Sequence, residues 1–315
     1  MKTRVEELIE QAYERLKVTD AVSALRLLEE ALKIDFDHPE VKYGLKCVNW
    51  WLDRLKKLDD LREPYEKGGY VISQWKTFHV FLDQIGNTAG GEESCIYAVR
   101  NFVFRLALKY LEDVLANSGN SPDPEILLQM GRCYKGIGNY EEAARFLEQA
   151  VHFKPDDSGA LAELADVRAL LGDPRAAKVL FREAFYLDPQ AIDLWFMESE
   201  MIIRLKEKVA ELGYTGKEIA EWIPVYGTLW GIFSVQRELK PVELGKLKQA
   251  ILALESESNN KPGEFSKPRL LNRYFRLIDH YGARARTPGD NSDVVEETMR
   301  KIKFIDSAVY EQYRN

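Results

Sequence analysis

Apolar residues recur along this chain at three- and four-residue steps, the spacing of a helix that buries one stripe. Over 124–157 the stripe reads Leu127, Met130, Gly131 and Tyr134, then Ala143, Leu147 and Ala150. Over 158–191 it reads Leu161, Leu164 and Ala165, then Ala177, Phe181 and Ala184. An offset of 34 residues relates the two sets, and it also joins Gly138 to Gly172 and Pro155 to Pro189. The pattern predicts two helices per unit. Glycine ends the first, because a residue without Cβ can turn the backbone there. Proline stops the second, because it lacks the amide hydrogen that a continuing helix needs. Small residues at 131, 143, 150, 165, 177 and 184 let paired helices approach, while the large ones fill the space between pairs. One such pair cannot bury its own apolar face, so neighbours must stack.

Period and residue types together resemble the tetratricopeptide repeat, a helix–turn–helix family. The resemblance implies an all-α fold, a right-handed superhelical solenoid of such units with a helical C-terminal extension. Beyond 124–157 and 158–191, a third unit is expected from 192. Trp195 and Ser199 follow Leu161 and Ala165 by 34 residues, which predicts a first helix over 190–212. Glu198 stands there in an apolar place, and no second helix follows in register. Near the start, Leu8, Ala12, Ala24, Leu28 and Ala31 fit the template over 5–38, with Phe36 where proline is usual and Gln11 where leucine is usual. Long helices are expected over 41–58, 70–85 and 92–117, with Gly68-Gly69 and Gly90-Gly91 as turns and an insertion near 87–91. Ala107, Leu111 and Val114 resemble a second repeat helix. The expected division is 1–117 for degenerate repeats, 118–212 for well-formed ones and 213–315 for an apolar segment with capping helices.

The stretch 222–235 carries no charge. Pro224, Gly227 and Gly231 weaken a helix there, while its β-branched and aromatic residues favour extended structure. Three readings stay open: an internal plug, a self-association surface, or a segment dipping into a membrane interface. The last two would use Trp222, Tyr226, Trp230 and Phe233. A helix over 241–255, a polar linker over 256–268 and two capping helices over 268–283 and 292–313 are expected to follow. Arg269, Arg273 and Arg276 fall along one face of the first capping helix. A solvated charged face is the expectation, an acidic partner or anionic lipid the alternative. Leu270, Tyr274, Leu277 and Ile278 would form its buried side.

Composition narrows the function classes. At 45% hydrophobic and 30% charged, the chain has the balance of a folded protein. Its net charge of −7 argues against nucleic acid, whose backbone demands a basic footprint. No apolar run approaches a membrane span, and the opening MKTRVEELIEQ lacks the apolar core of a secretory leader. Cys47, Cys95 and Cys133, odd in number and in apolar surroundings, read as reduced thiols. A cytoplasmic location is the expectation, with a removed leader left open. His38, His79, His152 and His280 are scattered without metal-ligand spacing. Phosphate-cradling loops, dinucleotide fingerprints and nucleophile elbows are absent from the sequence. Asp279-His280 is a weak dipeptide on its own. No catalytic residue, metal or cofactor is expected.

Members of the tetratricopeptide family bind partners in a concave groove lined by the first helix of each repeat. Carried onto this chain, the resemblance implies partner contacts at Leu128, Arg132 and Lys135, at Asp166, and at Phe196, Glu200 and Ile203. Some members clamp a terminal carboxylate with basic residues. The corresponding places here hold Leu128, Arg132, Glu163, Asp193 and Met197, and the acidic ones would repel an anion. An apolar or helical ligand fits better. The resemblance thus implies a non-enzymatic adaptor or scaffold for another protein or peptide, with self-association a further option. Two other classes stay open: a peripheral membrane or envelope factor using 222–235, and a small-molecule carrier or sensor with Trp195, Trp222 and Trp230 around its pocket.

Overall fold

A computed structural model describes residues 2–86, 91–117, 119, 122–233, 237–260, 263–284 and 292–314. Among them are fifteen α-helices and no strand. Contacts cluster into two units, Met1–Phe153 and Lys154–Asn315.

The first unit opens with the hairpin of α1 (Arg4–Lys17) and α2 (Ala21–Ile34). Thr3 and Glu6 cap α1 reciprocally, each side chain accepting from the other's backbone N–H, while Asp20 accepts from Ser23 N–H to open α2. The template positions Leu8, Ala12, Ala24, Leu28 and Ala31 are fully buried between and beneath these helices. Next come α3 (Pro39–Leu55), α4 (Pro64–Ile85) and α5 (Glu92–Asn117). Helix α4 starts earlier than expected because Pro64 sits in its first turn, where a missing N–H costs nothing. Gly68 and Gly69 therefore lie inside a helix rather than in a turn. A Cβ on Gly68 would stand 3.1 Å from Leu111, so this glycine lets α4 and α5 close on each other. The expected insertion over 87–91 lies outside the described residues except for Gly91.

Aromatic rings replace the small-residue template across α3–α5. Trp50 and Trp51 meet at 5.1 Å between centroids, Trp75 and Phe104 at 5.7 Å, and Trp51 and Phe102 at 6.3 Å. Rings this large fix their own helix spacing. That accounts for the lack of a gapless register here.

The unit ends with α6 (Pro124–Gly136) and α7 (Tyr140–Phe153). A Cβ on Gly131 would lie 2.5 Å from Leu147, so the two helices touch where the side chain is missing. Gly138 turns the chain between them at φ +79°.

The second unit repeats this hairpin with α8 (Ser158–Leu170) and α9 (Pro174–Leu187), turned by Gly172 at φ +79°. The capping residues keep the same period. Asp123 and Asp157 open α6 and α8, and Asn139 and Asp173 accept N–H groups at the starts of α7 and α9. The next residue in the first series is Ala191, which offers no cap. Correspondingly the helix expected over 190–212 does not form as one piece. A 3₁₀ turn spans Pro189–Ala191, and α10 runs only from Glu200 to Glu211.

Five helices complete this unit: α11 (Lys217–Leu229), α12 (Pro241–Asn260), α13 (Ser266–Arg284), α14 (Ser292–Ile305) and α15 (Ser307–Arg314). The uncharged stretch is thus mainly helical, not extended. Pro224 is accommodated within α11, and residues 234–235 lie outside the described ones. Helix α12 extends into the expected linker. The last expected helix breaks at Asp306, whose carboxylate accepts from Val309 N–H and starts α15.

Candidate partner-binding surface

Sequence reasoning put Asp166 and Phe196 at a partner interface, and the structure places both inside the second unit. Asp166 is fully buried on α8. Its two carboxylate oxygens accept from the backbone N–H groups of Glu198 and Ser199, at 2.9 and 2.8 Å. Those amides sit at the entrance of α10, where helical N–H groups have no intrahelical acceptor. A carboxylate there also suits the positive end of the helix. Asp166 is therefore a cap supplied from another helix. Phe196, 6% exposed, belongs to the same entrance and meets Trp195 edge-on at 5.0 Å.

Helix α10 turns Ile202, Leu205 and Val209 inward. Its other side leaves Glu200, Ile203 and Arg204 in the open, with Glu200 and Arg204 paired one turn apart. Ile203, between the members of this charged pair, is 37% exposed, and so is Trp195 in the segment before the helix.

In the first unit, Leu128 is buried at 7% and Lys135 at 0% exposure, so α6 turns both inward. Arg132 is half-buried and Glu125 exposed. Gln129 donates to Glu125 and to the Tyr65 hydroxyl of α4, at 3.1 and 3.3 Å, so α4 occupies part of the face that α6 would offer. Tyr134 stacks on Phe146 with centroids 5.2 Å apart and an interplanar angle of 7°.

Of the aromatic residues in 222–235, Trp222 and Phe233 are buried, while Tyr226 and Trp230 are half-buried. Phe233 packs among Phe181 and Phe185 of α9, at 6.3 and 5.9 Å, and Gly227 leaves room for its ring. Trp222 stacks on Tyr214 at 4.7 Å.

The arginines of α13 also differ from the solvated face expected of them. Arg269 grips the wholly buried carboxylate of Glu221 on α11 through Nε at 2.9 Å and a second nitrogen. The hydrogen bond to Glu221 raises the pKa of Arg269. Arg276 donates to Glu183 at 2.8 Å and lies 3.7 Å over the Tyr186 ring. Arg182 of α9 pairs with Asp279. Every one of these pairs joins α13 to another helix of its own unit. No spacing rule flags Glu221 or Asp166 in the sequence, since each acts across tens of residues. Their one visible sign is a carboxylate set within an apolar helical run.

Among the described residues, no group of three or more His, Cys, Asp or Glu side chains could hold a metal, and no helix is long and apolar enough to cross a membrane. The model of the tetratricopeptide repeat family matches residues 104–167, from within α5 to within α8. Over this stretch the chain carries tetratricopeptide-repeat sequence. The match takes in Ala107, Leu111 and Val114, which sit on α5 where a repeat's second helix is expected. No curated protein matches the chain. Tetratricopeptide repeats generally mediate protein–protein interaction.

Proposed function

We propose that this chain is a non-enzymatic adaptor that holds another protein, and that the open face of α10 is a principal contact. The carrying observation is Ile203, exposed between the paired Glu200 and Arg204 on α10, with Trp195 exposed in the segment that leads into the helix. Large apolar groups flanked by charge are the composition of a binding hot spot with a polar rim. The partner chemistry that suits it is an amphipathic helix or peptide, with apolar anchors and charges of both signs. Arg132 and Glu125 offer a second contact on the first unit, polar and independent of the patch. Leu128, Lys135, Asp166 and Phe196 support these surfaces from within.

The test uses quantitative crosslinking of the full chain in its host, followed by direct binding to the protein captured. Ile203→Glu leaves folding unchanged because the side chain is open to solvent, and it weakens that binding by roughly tenfold or more. Unaltered affinity in Ile203→Glu and in Arg132→Glu would sink the proposal. A loss confined to Arg132→Glu would move the contact to the first unit.

A further inference from the structure

Helices α1 and α3 both pack on α5, and a cavity of about 350 Å³ opens between them. Glu6 and Tyr13 line it from α1, Glu40 from the first turn of α3, and Tyr97 from the second turn of α5. Two ion pairs balance part of its charge, Lys2 with Glu10 and Lys17 with Glu14, each at 2.7 Å. That leaves two carboxylates in the walls, Glu6 and Glu40, and no third cation among the described residues. Glu6 is occupied in capping α1, where it accepts from the Thr3 N–H at 2.8 Å. Glu40 is half-buried, its carboxyl set where Gly91 has no side chain.

The floor of the cavity adds a second unmet group. Tyr13 is 6% exposed, and its hydroxyl is sealed from solvent with no hydrogen-bond partner among the described residues. The hydroxyl reaches α3, where a Cβ on Gly44 would stand 3.6 Å from it, one turn beyond Glu40. Burial, and then the neighbouring Cys95 and Glu40, raise its pKa, so the group stays protonated. A buried hydroxyl without a partner is unfavourable, and native structures rarely leave one.

One chemical group answers both. A guanidinium carries several N–H donors in a plane, so it can donate to the Glu40 carboxylate and to the Tyr13 hydroxyl oxygen together. The rim suits its stem. Tyr97 is 55% exposed there, and its ring already takes the Lys17 ammonium at 5.4 Å from the centroid. The two lysine pairs lie largely in the open, contribute little and give way readily to an incoming cation. An acidic segment would meet like charge, and an apolar one would leave Glu40 unanswered.

We infer that this cavity receives an arginine side chain presented by a segment of a partner protein. The inference rests on the adaptor reading only in taking a protein as ligand. Its surface belongs to the first unit and that of α10 to the second, so each is tested apart.

The test is fluorescence anisotropy with the full chain, using a labelled octapeptide of alternating alanine and arginine at low ionic strength, where charges are screened least. The peptide binds, and Glu40→Gln weakens it roughly tenfold. Glu311→Gln, which removes an equal charge from the exposed side of α15, leaves affinity unchanged. Tyr13→Phe keeps the ring and weakens binding about threefold, yet raises the melting temperature of the free chain, which no longer buries an unsatisfied hydroxyl. A hydroxyl that served the fold alone would not move the two readouts in opposite directions. Ile203→Glu binds the peptide as the unaltered chain does, which separates this site from the face of α10. A chain that does not bind the peptide overturns the inference. So does equal weakening by Glu40→Gln and Glu311→Gln, the mark of diffuse attraction to an acidic protein, or a Tyr13→Phe chain with undiminished affinity.

Discussion

In the α6–α7 hairpin, Leu147 lies against the bare α-carbon of Gly131. Between α11 and α13, Glu221 is sealed from solvent against the guanidinium of Arg269. The first contact asks only for one small and one large apolar group. It therefore recurs with the same spacing between its two members, as Ala12 with Leu28 and as Ala165 with Phe181 in the matching positions. The second asks for a charge at one place and a fork of donors at another. Nothing in it repeats. The hairpins are thus modular, while the helices after α9 are joined by contacts each used once: Glu221 with Arg269, Glu183 with Arg276, and Arg182 with Asp279.

Breaking the once-used contact has the larger effect. Arg269→Ala leaves the wholly buried carboxylate of Glu221 without its guanidinium and costs about 3–5 kcal/mol in chemical denaturation. Replacing both partners, as Glu221→Leu with Arg269→Met, recovers most of that loss. If the single change costs under ~1 kcal/mol, the pair does not hold α11 on α13 and the contrast with the hairpins falls.

The modular contact is more forgiving but still legible. Gly131→Ala drives a methyl into Leu147 and costs about 1–3 kcal/mol. Alanine already stands in the equivalent place in α8, fully buried. Ala165→Gly there costs only about 1 kcal/mol, chiefly through backbone entropy. Equal losses at both sites would show that the helix spacing differs less than the glycine implies.

The smallest effect concerns the hairpin turns. Gly138 and Gly172 both adopt φ +79°, and Thr19 stands in the matching place of α1–α2 at φ +65°. It is the one non-glycine residue with positive φ among those described. A β-branched side chain is strained in that region, so Thr19→Gly stabilises the first unit by about 1 kcal/mol. Its hydroxyl accepts from Lys109, and Thr19→Ser, which keeps that acceptor but not the strain-relieving glycine, separates the two contributions. A lower melting temperature for Thr19→Gly would mean that the bond to Lys109 outweighs the strain.

Much of this was legible before the structure. The positions of small residues, turn glycines and terminal prolines named the hairpins at 5–38, 124–157 and 158–191, because a helix pair imposes its geometry on residues close in sequence. The candidate surface was harder to read. Ile203 and Glu200 are open, but Phe196 and Asp166 are sealed beside the entrance of α10. The template places residues on the first helix of a repeat, and the 3₁₀ turn at Pro189–Ala191 replaced the start of that helix.

The sequence by itself determined the helical class, the 34-residue hairpins and the residues that let their helices close, since these depend on local periodicity and on side-chain size. Only the tertiary structure decided which charges face inward. Glu221, Asp166, Arg269 and Arg276 resemble any surface residue in a list, and each takes its role from a partner tens of positions away. Burying a charge is tolerable only where a matching group or an open helix end already waits. That condition is set in three dimensions, and no pattern along the chain records it.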